Sequence, residues 1–152
     1  MILRKGTQAD LPRLLELIRE LAIYENAEDQ VSNTIDRMKK EGFGPSPVFG
    51  FFVIELGGAV VGAAVYYWRY STWKGKRLYL EDLIVTEALR GKGGGKLLFD
   101  KMLDFGKAEG ASGMMWQVLD WNEPAINFYK KYNTSFDEEW LNCHIDFEDR
   151  SK

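Results

Sequence analysis

Residues 79–99 constrain the fold more than any other stretch: Tyr-Leu-Glu-Asp-Leu-Ile-Val-Thr-Glu-Ala-Leu-Arg-Gly-Lys-Gly-Gly-Gly-Lys-Leu-Leu-Phe. Its first seven residues read as a strand, because Leu80, Leu83, Ile84 and Val85 form a short apolar run bounded by turn signals. Thr86 to Leu89 turn the chain. After the glycine loop, Leu97, Leu98, Met102 and Phe105 recur at helical spacing. A strand, a glycine loop and a helix in that order make an anion site. Glycines let backbone N–H groups converge, and the helix start adds the positive end of its dipole. Arg90, Lys92 and Lys96 add full charges, so the expected guest is a phosphate-bearing cofactor.

Spacing selects among such cofactors. A nucleoside triphosphate loop needs Ser or Thr after Gly-Lys to hold magnesium, and here Leu97 follows Gly95-Lys96. The dinucleotide pattern Gly-x-Gly-x-x-Gly fails in both frames, ending on Lys96 or Leu98. Arg90, Gly93 and Gly95 satisfy Arg-x-x-Gly-x-Gly. That pattern resembles the acetyl-CoA pyrophosphate loop of the GNAT N-acetyltransferase superfamily.

With 152 residues and 45% hydrophobic content, the chain can build one compact domain over 1–152 with a real core. A formal net charge of −3 argues against broad nucleic-acid or membrane-surface affinity and favours a cationic partner. One cysteine excludes an intrachain disulfide and suits a reducing compartment. No apolar run approaches bilayer length, and Met1 to Lys5 carries no signal-peptide core, so a cytoplasmic location is expected.

The remaining elements follow in order. Ile2 to Arg4 suggests a first strand. Asp10 is placed to cap a helix ending near Tyr24, with Leu11, Leu14, Leu15, Ile18, Leu21 and Ala22 on its core face. Ser32 or Thr34 starts a second helix through Lys40, stopped by Gly42-Phe43-Gly44-Pro45. Val48 to Glu55 and Ala59 to Tyr70 read as strands joined at Leu56-Gly57-Gly58. The segment from Tyr70 to Lys76 leads to the central strand. Gly110 ends the helix that begins near Gly93. Met114 to Val118 is the next strand, parallel to the central one because a helix joins them. Pro124 opens a helix over Ala125 to Tyr132, with Asn133 ending it in the left-handed conformation. Trp140 to Phe147 reads as a closing strand on the sheet edge.

Three further segments carry a closer resemblance. They are Asn122-Glu123-Pro124-Ala125-Ile126-Asn127-Phe128-Tyr129, Tyr79-Leu80-Glu81-Asp82, and Tyr70-Ser71-Thr72-Trp73-Lys74-Gly75. With Tyr24-Glu25 and Glu41-Gly42-Phe43-Gly44 they resemble the diamine N-acetyltransferase family, spermidine/spermine or thialysine, over nearly the whole chain. The resemblance implies an α/β GNAT fold, a central mixed sheet splayed at two parallel strands and flanked by about four helices. It implies that the backbone of Leu83, Ile84 and Val85 binds the pantetheine arm and that Arg90, Gly91, Lys92, Gly93, Gly94, Gly95 and Lys96 hold the pyrophosphate. Asn122, Glu123, Pro124 and Ala125 match further cofactor contacts. Tyr129 matches the catalytic tyrosine and Glu81 the carboxylate facing the amine. Tyr24, Glu25, Glu81 and Glu139 match positions at or near the acceptor. A homodimer is implied as well.

The groups fit that chemistry. A primary amine with a pKa near 10.4 is protonated at pH 7, and neutralising it costs about 4–5 kcal/mol. A carboxylate can hold the ammonium and take its proton. Glu81 and Asp82 are neighbours on a strand and are expected to face opposite ways, so one alone meets the acceptor. Tyr129 can protonate the leaving thiolate. Cys143 and His144, adjacent on the expected strand, face apart and make no useful dyad, so the amine attacks bound acetyl-CoA directly. The sequence offers no metal-ligand cluster. The acceptor is expected to be a small cationic amine: a polyamine, a diamine or a lysine-like amino acid. Polyamine members carry Asp-Pro where this chain has Ser71-Thr72, and Tyr-Ser-Thr-Trp-Lys-Gly resembles the thialysine branch. Alternatives are a protein amine as acceptor, or a non-catalytic acyl-CoA-binding domain.

Overall fold

The computed structural model describes residues 1–147 and divides into two compact units, Met1–Gln117 and the chain from Val118 onward. The first unit is built on a five-stranded sheet in the order β1-β2-β3-β4-β5. Its strands are β1 (Ile2–Lys5), β2 (Gly50–Leu56), β3 (Ala59–Ser71), β4 (Gly75–Val85) and β5 (Met114–Met115). The first three pairings are antiparallel, and β4 pairs with β5 in parallel.

Helices α1 (Leu11–Tyr24) and α2 (Ile35–Phe43) cover one face of the sheet. Leu11, Leu14, Leu15 and Leu17 of α1 and Met38 of α2 pack with Phe51, Val53, Ala63, Val65 and Ile84. Each such leucine contributes about 1.5–3 kcal/mol by leaving water. Helix α3 (Gly94–Ala108) covers the other face. There Phe105 meets Phe52, Tyr66 and Trp68 with ring centroids 5.1, 5.0 and 5.8 Å away. Phe51 and Phe52 therefore face opposite layers, as strand alternation requires.

Both long helices end in a Schellman motif. In α1 the Ala27 amide donates to the Ala22 carbonyl and the Asn26 amide to Ile23, with Asn26 left-handed at φ 58°. In α3 the Ala111 amide donates to Gly106 and the Gly110 amide to Lys107. The second unit holds α4 (Glu123–Lys130), capped by the Asn122 side chain, which accepts from the Ala125 amide.

Several boundaries differ from the sequence expectations. The central strand begins at Gly75, because Ser71 pairs with Gly75 and shortens the connection to a tight hairpin. Strand β5 stops at Met115 rather than Val118. Helix α2 continues through Gly42 to Phe43, since Met38 and its neighbours dock on α1 and outweigh the glycine. Helix α4 lies two residues earlier than expected, and Asn133 is not left-handed. Asp10 stands at the N-cap position of α1, but its carboxylate turns back across the preceding short turn and accepts from the Thr7 amide at 2.7 Å instead of from an α1 amide. The segment Trp140 to Phe147 forms no strand, and Leu141, Ile145 and Phe147 are exposed. Alternation supplies a face but not the hydrogen-bonding edge that a strand needs.

Candidate active site

The site begins with a bulge in β4. Val65 of β3 faces Asp82 and Tyr66 faces Leu80, so Glu81 is the extra residue. A bulge resets the alternation of the strand that carries it. Leu80 lies opposite Tyr66 on the α3 face, and Asp82 lies opposite Val65 on the α1 face. Tyr79, opposite Tyr67, shares the α1 face, and Glu81 follows it two residues on. Glu81 and Asp82 thus project to the same side. This corrects the expectation that neighbouring carboxylates must face apart, which holds only for an unbroken ladder.

The two carboxylates differ in setting. Glu81 is exposed, while Asp82 is partly sheltered. Burial first, and then the charges of Glu81 and Glu25, push the Asp82 carboxyl up to about 7. Burial also raises Glu25. Tyr67 and Tyr79 stack beside them at 4.8 Å, and burial, then the nearby Glu81 charge, raises both phenols. Sequence reading named Glu81 but missed its union with Asp82 and this aromatic pair. The bulge that joins them has no local sequence signal.

Pairing between β4 and β5 covers Leu78 with Met114 and Tyr79 with Met115, and goes no further. Beyond that point no described strand pairs with the β5-facing edge of β4, and Leu83, Ile84 and Val85 lie on it. An open strand edge presents backbone donors and acceptors to an extended, amide-containing guest.

The glycine loop continues from this edge. Gly91 and Gly93 have φ of 78° and 89°, a conformation that side-chain-bearing residues rarely adopt. A Cβ at Gly91, Gly93 or Gly95 would point into open space, whereas at Gly94 it would touch Val85 and Ile54. Helix α3 starts at Gly94, so its first amides point outward without side chains over them. Lys96 pairs with Asp100 at 2.6 Å, one turn along α3. Lys92 and Arg90 form no ion pair with a described carboxylate. The loop has the shape, donors and charge for a diphosphate.

Tyr24, Glu25, Glu81, Leu83 to Val85 and Arg90 to Lys96 all belong to the first unit. Tyr24 and Glu25 sit at the α1 terminus, held by its Schellman motif. The other expected site residues belong to the second unit. Asn122 is buried as the cap of α4, and Glu123, Pro124 and Ala125 form its first turn. Tyr129 is buried, 8% exposed, its carbonyl accepting from the Thr134 hydroxyl at 2.7 Å. Glu139 is exposed and outside any helix or strand.

Known proteins share this design. The model of the acetyltransferase (GNAT) family matches residues 11–133. Bovine thialysine N-epsilon-acetyltransferase is 38% identical over 138 residues, 86% of this chain and 81% of that protein. Human spermidine/spermine N(1)-acetyltransferase-like protein 1 is 34% identical over 91% of this chain, but over 21% of its own length. Among solved structures, an aminoglycoside acetyltransferase from an uncultured soil metagenomic sample superposes with a TM-score of 0.78 at 20% identity. That match covers 97% of this chain and 96% of that one and speaks to the fold. With a family model spanning most of its length and relatives above a third identical, the chain belongs to the GNAT family and is an acetyltransferase of that type.

Proposed function

We propose that the protein transfers the acetyl group of acetyl-CoA to a primary amine of a small cationic acceptor, with residues 1–152 acting as one acetyltransferase domain. The observation that carries the acceptor class is the β4 bulge, which sets Glu81 and Asp82 on one face with Glu25 near enough to raise Asp82. Crowded carboxylates, one of them partly sheltered, favour a cationic guest, since an ammonium relieves their repulsion. The faces of Tyr67 and Tyr79 add cation–π attraction.

In this reading Glu81 meets the ammonium, and the Glu81–Asp82 pair takes its proton. A group near 7 exchanges protons efficiently at neutral pH. The freed amine nitrogen attacks the acetyl carbonyl, the C–S bond breaks, and the CoA thiolate takes a proton from the Tyr129 hydroxyl, while the second proton that the nitrogen sheds as the amide forms restores that phenol. The pantetheine arm lies along the open edge at Leu83 to Val85. Gly91 to Lys96 hold the diphosphate, and Asn122 to Ala125 add cofactor contacts.

The thialysine and spermidine/spermine names of the relatives support a lysine-like amino acid or a polyamine. Ser71 and Thr72 lack the carboxylate that would anchor a second distant ammonium, so lysine-like amino acids are the first expectation. Turnover with acetyl-CoA and a panel of polyamines, diamines, thialysine, lysine, ornithine and short peptides tests this. Highest kcat/KM on a small diamino acid is expected. Transfer to peptides alone would move the acceptor class, and CoA binding without any transfer would leave a binding module. Tyr129→Phe should keep CoA affinity while lowering turnover ~10²-fold; unchanged turnover would remove Tyr129 from the proton path.

A further inference from the structure

The end of α1 and the glycine loop are in contact. The Arg90 guanidinium lies over the Tyr24 ring, 4.8 Å from its centroid. Its Nε donates to the Val85 carbonyl at 3.4 Å. Nearby, the Glu87 amide donates to the Glu20 carboxylate of α1 at 3.1 Å. Tyr24 therefore belongs to a junction between helix and loop, whereas the resemblance assigns it to the acceptor.

We propose that Tyr24 is a positioning residue for the cofactor loop, its ring fixing the Arg90 guanidinium where the diphosphate of acetyl-CoA binds. Arg90 is exposed, and an exposed arginine samples many rotamers that binding must freeze. A planar guanidinium stacked on an aromatic face has already lost part of that freedom. Its neighbours Gly91 and Gly93 leave the backbone permissive, so a side-chain contact adds order that the loop's few backbone hydrogen bonds do not give the guanidinium. Tyr24 can supply it because the Schellman motif at Asn26 fixes the last turn of α1. The same turn carries Glu25, which acts on Asp82. One helical end therefore contacts the loop and acts through its charge on the carboxylate pair.

This inference rests on the acetyl-CoA reading of the loop. The test is titration of CoA into the wild-type protein and the variants Tyr24→Phe, Tyr24→Ala, Arg90→Ala and the Tyr24→Ala/Arg90→Ala double, with melting temperatures as the folding control. Tyr24→Ala should weaken CoA about five-fold, and Tyr24→Phe, which keeps the ring, should stay within about two-fold. In the Arg90→Ala background, Tyr24→Ala should cost nothing further. Additive losses, or unchanged affinity in Tyr24→Ala, would overturn the positioning role while leaving the enzyme reading intact. A wild-type protein without CoA affinity would instead sink the enzyme reading. If Tyr24→Ala does not fold, Tyr24→Leu takes its place in the same cycle, keeping apolar bulk without an aromatic face.

Discussion

Asp10 and Asp82 belong to the same unit, and the protein treats their carboxyls in opposite ways. Asp10 receives two charged hydrogen bonds from Arg4, at 2.8 and 2.9 Å, and two more from the Thr7 amide and hydroxyl. Those bonds, Arg4 foremost, hold it at about 2. Arg4 also reaches Glu55 at 2.9 Å, so β1, β2 and the turn before α1 are tied at one point. Asp82 has two carboxylates as electrostatic neighbours and sits at about 7. One aspartate is fully compensated from within the chain and serves the fold. The other is left under-compensated, which lowers stability but fits a group reserved for a cationic guest.

The largest test of that contrast is catalytic. Asp82→Asn should lower kcat/KM by about 10²-fold or more and abolish an acid limb near pH 7. Glu81→Gln should act mainly on the amine KM, by roughly 10-fold, as for one charged hydrogen bond. The reverse pattern in the pH–rate profiles would return the proton to Glu81 alone. Next in size is stability. Asp10→Ala should cost about 2–3 kcal/mol, from the arginine pair and the lost cap. Asp82→Asn should instead stabilise the free protein by ~1–3 kcal/mol above neutral pH. Urea melts of both variants check the opposite signs.

The smallest effect is the pH dependence of the melt. The Asp10 contribution is complete above the usual carboxylate range and is lost as pH falls from about 4 toward 2, because its folded pKa lies below its unfolded one. For Asp82 the folded pKa is the higher. Its protonated form favours the fold below about pH 4, and stability falls as pH rises toward 7. Wild-type protein should therefore lose melting temperature between pH 5 and about 7 relative to Asp82→Asn. Parallel curves would mean that Asp82 is an ordinary carboxylate.

What could be read in advance depended on local signals. The glycine loop, the α1 leucine stripe, a cap at Ser32 or Thr34 (Thr34 in the structure) and the parallel pair around α3 follow from turn chemistry and periodicity. At Asp10 the N-cap position was legible but the side-chain bond was not, because the carboxylate turns to Arg4 of β1 and to the Thr7 amide. The closing strand at Trp140 to Phe147 failed because alternation marks a face and does not by itself supply the backbone pairing that makes a strand.

The sequence by itself determined the glycine loop and its cations, the order of strands and helices as far as α4, and which side chains have the chemistry to bind an amine or move a proton. Each of those depends on residues near one another in the chain. The tertiary structure alone decided that Glu81 and Asp82 share a face, that Glu25 acts on Asp82, and that Tyr24 carries Arg90. A bulge is defined by the partner strand, and burial and charge act through space, so no span of consecutive residues encodes them.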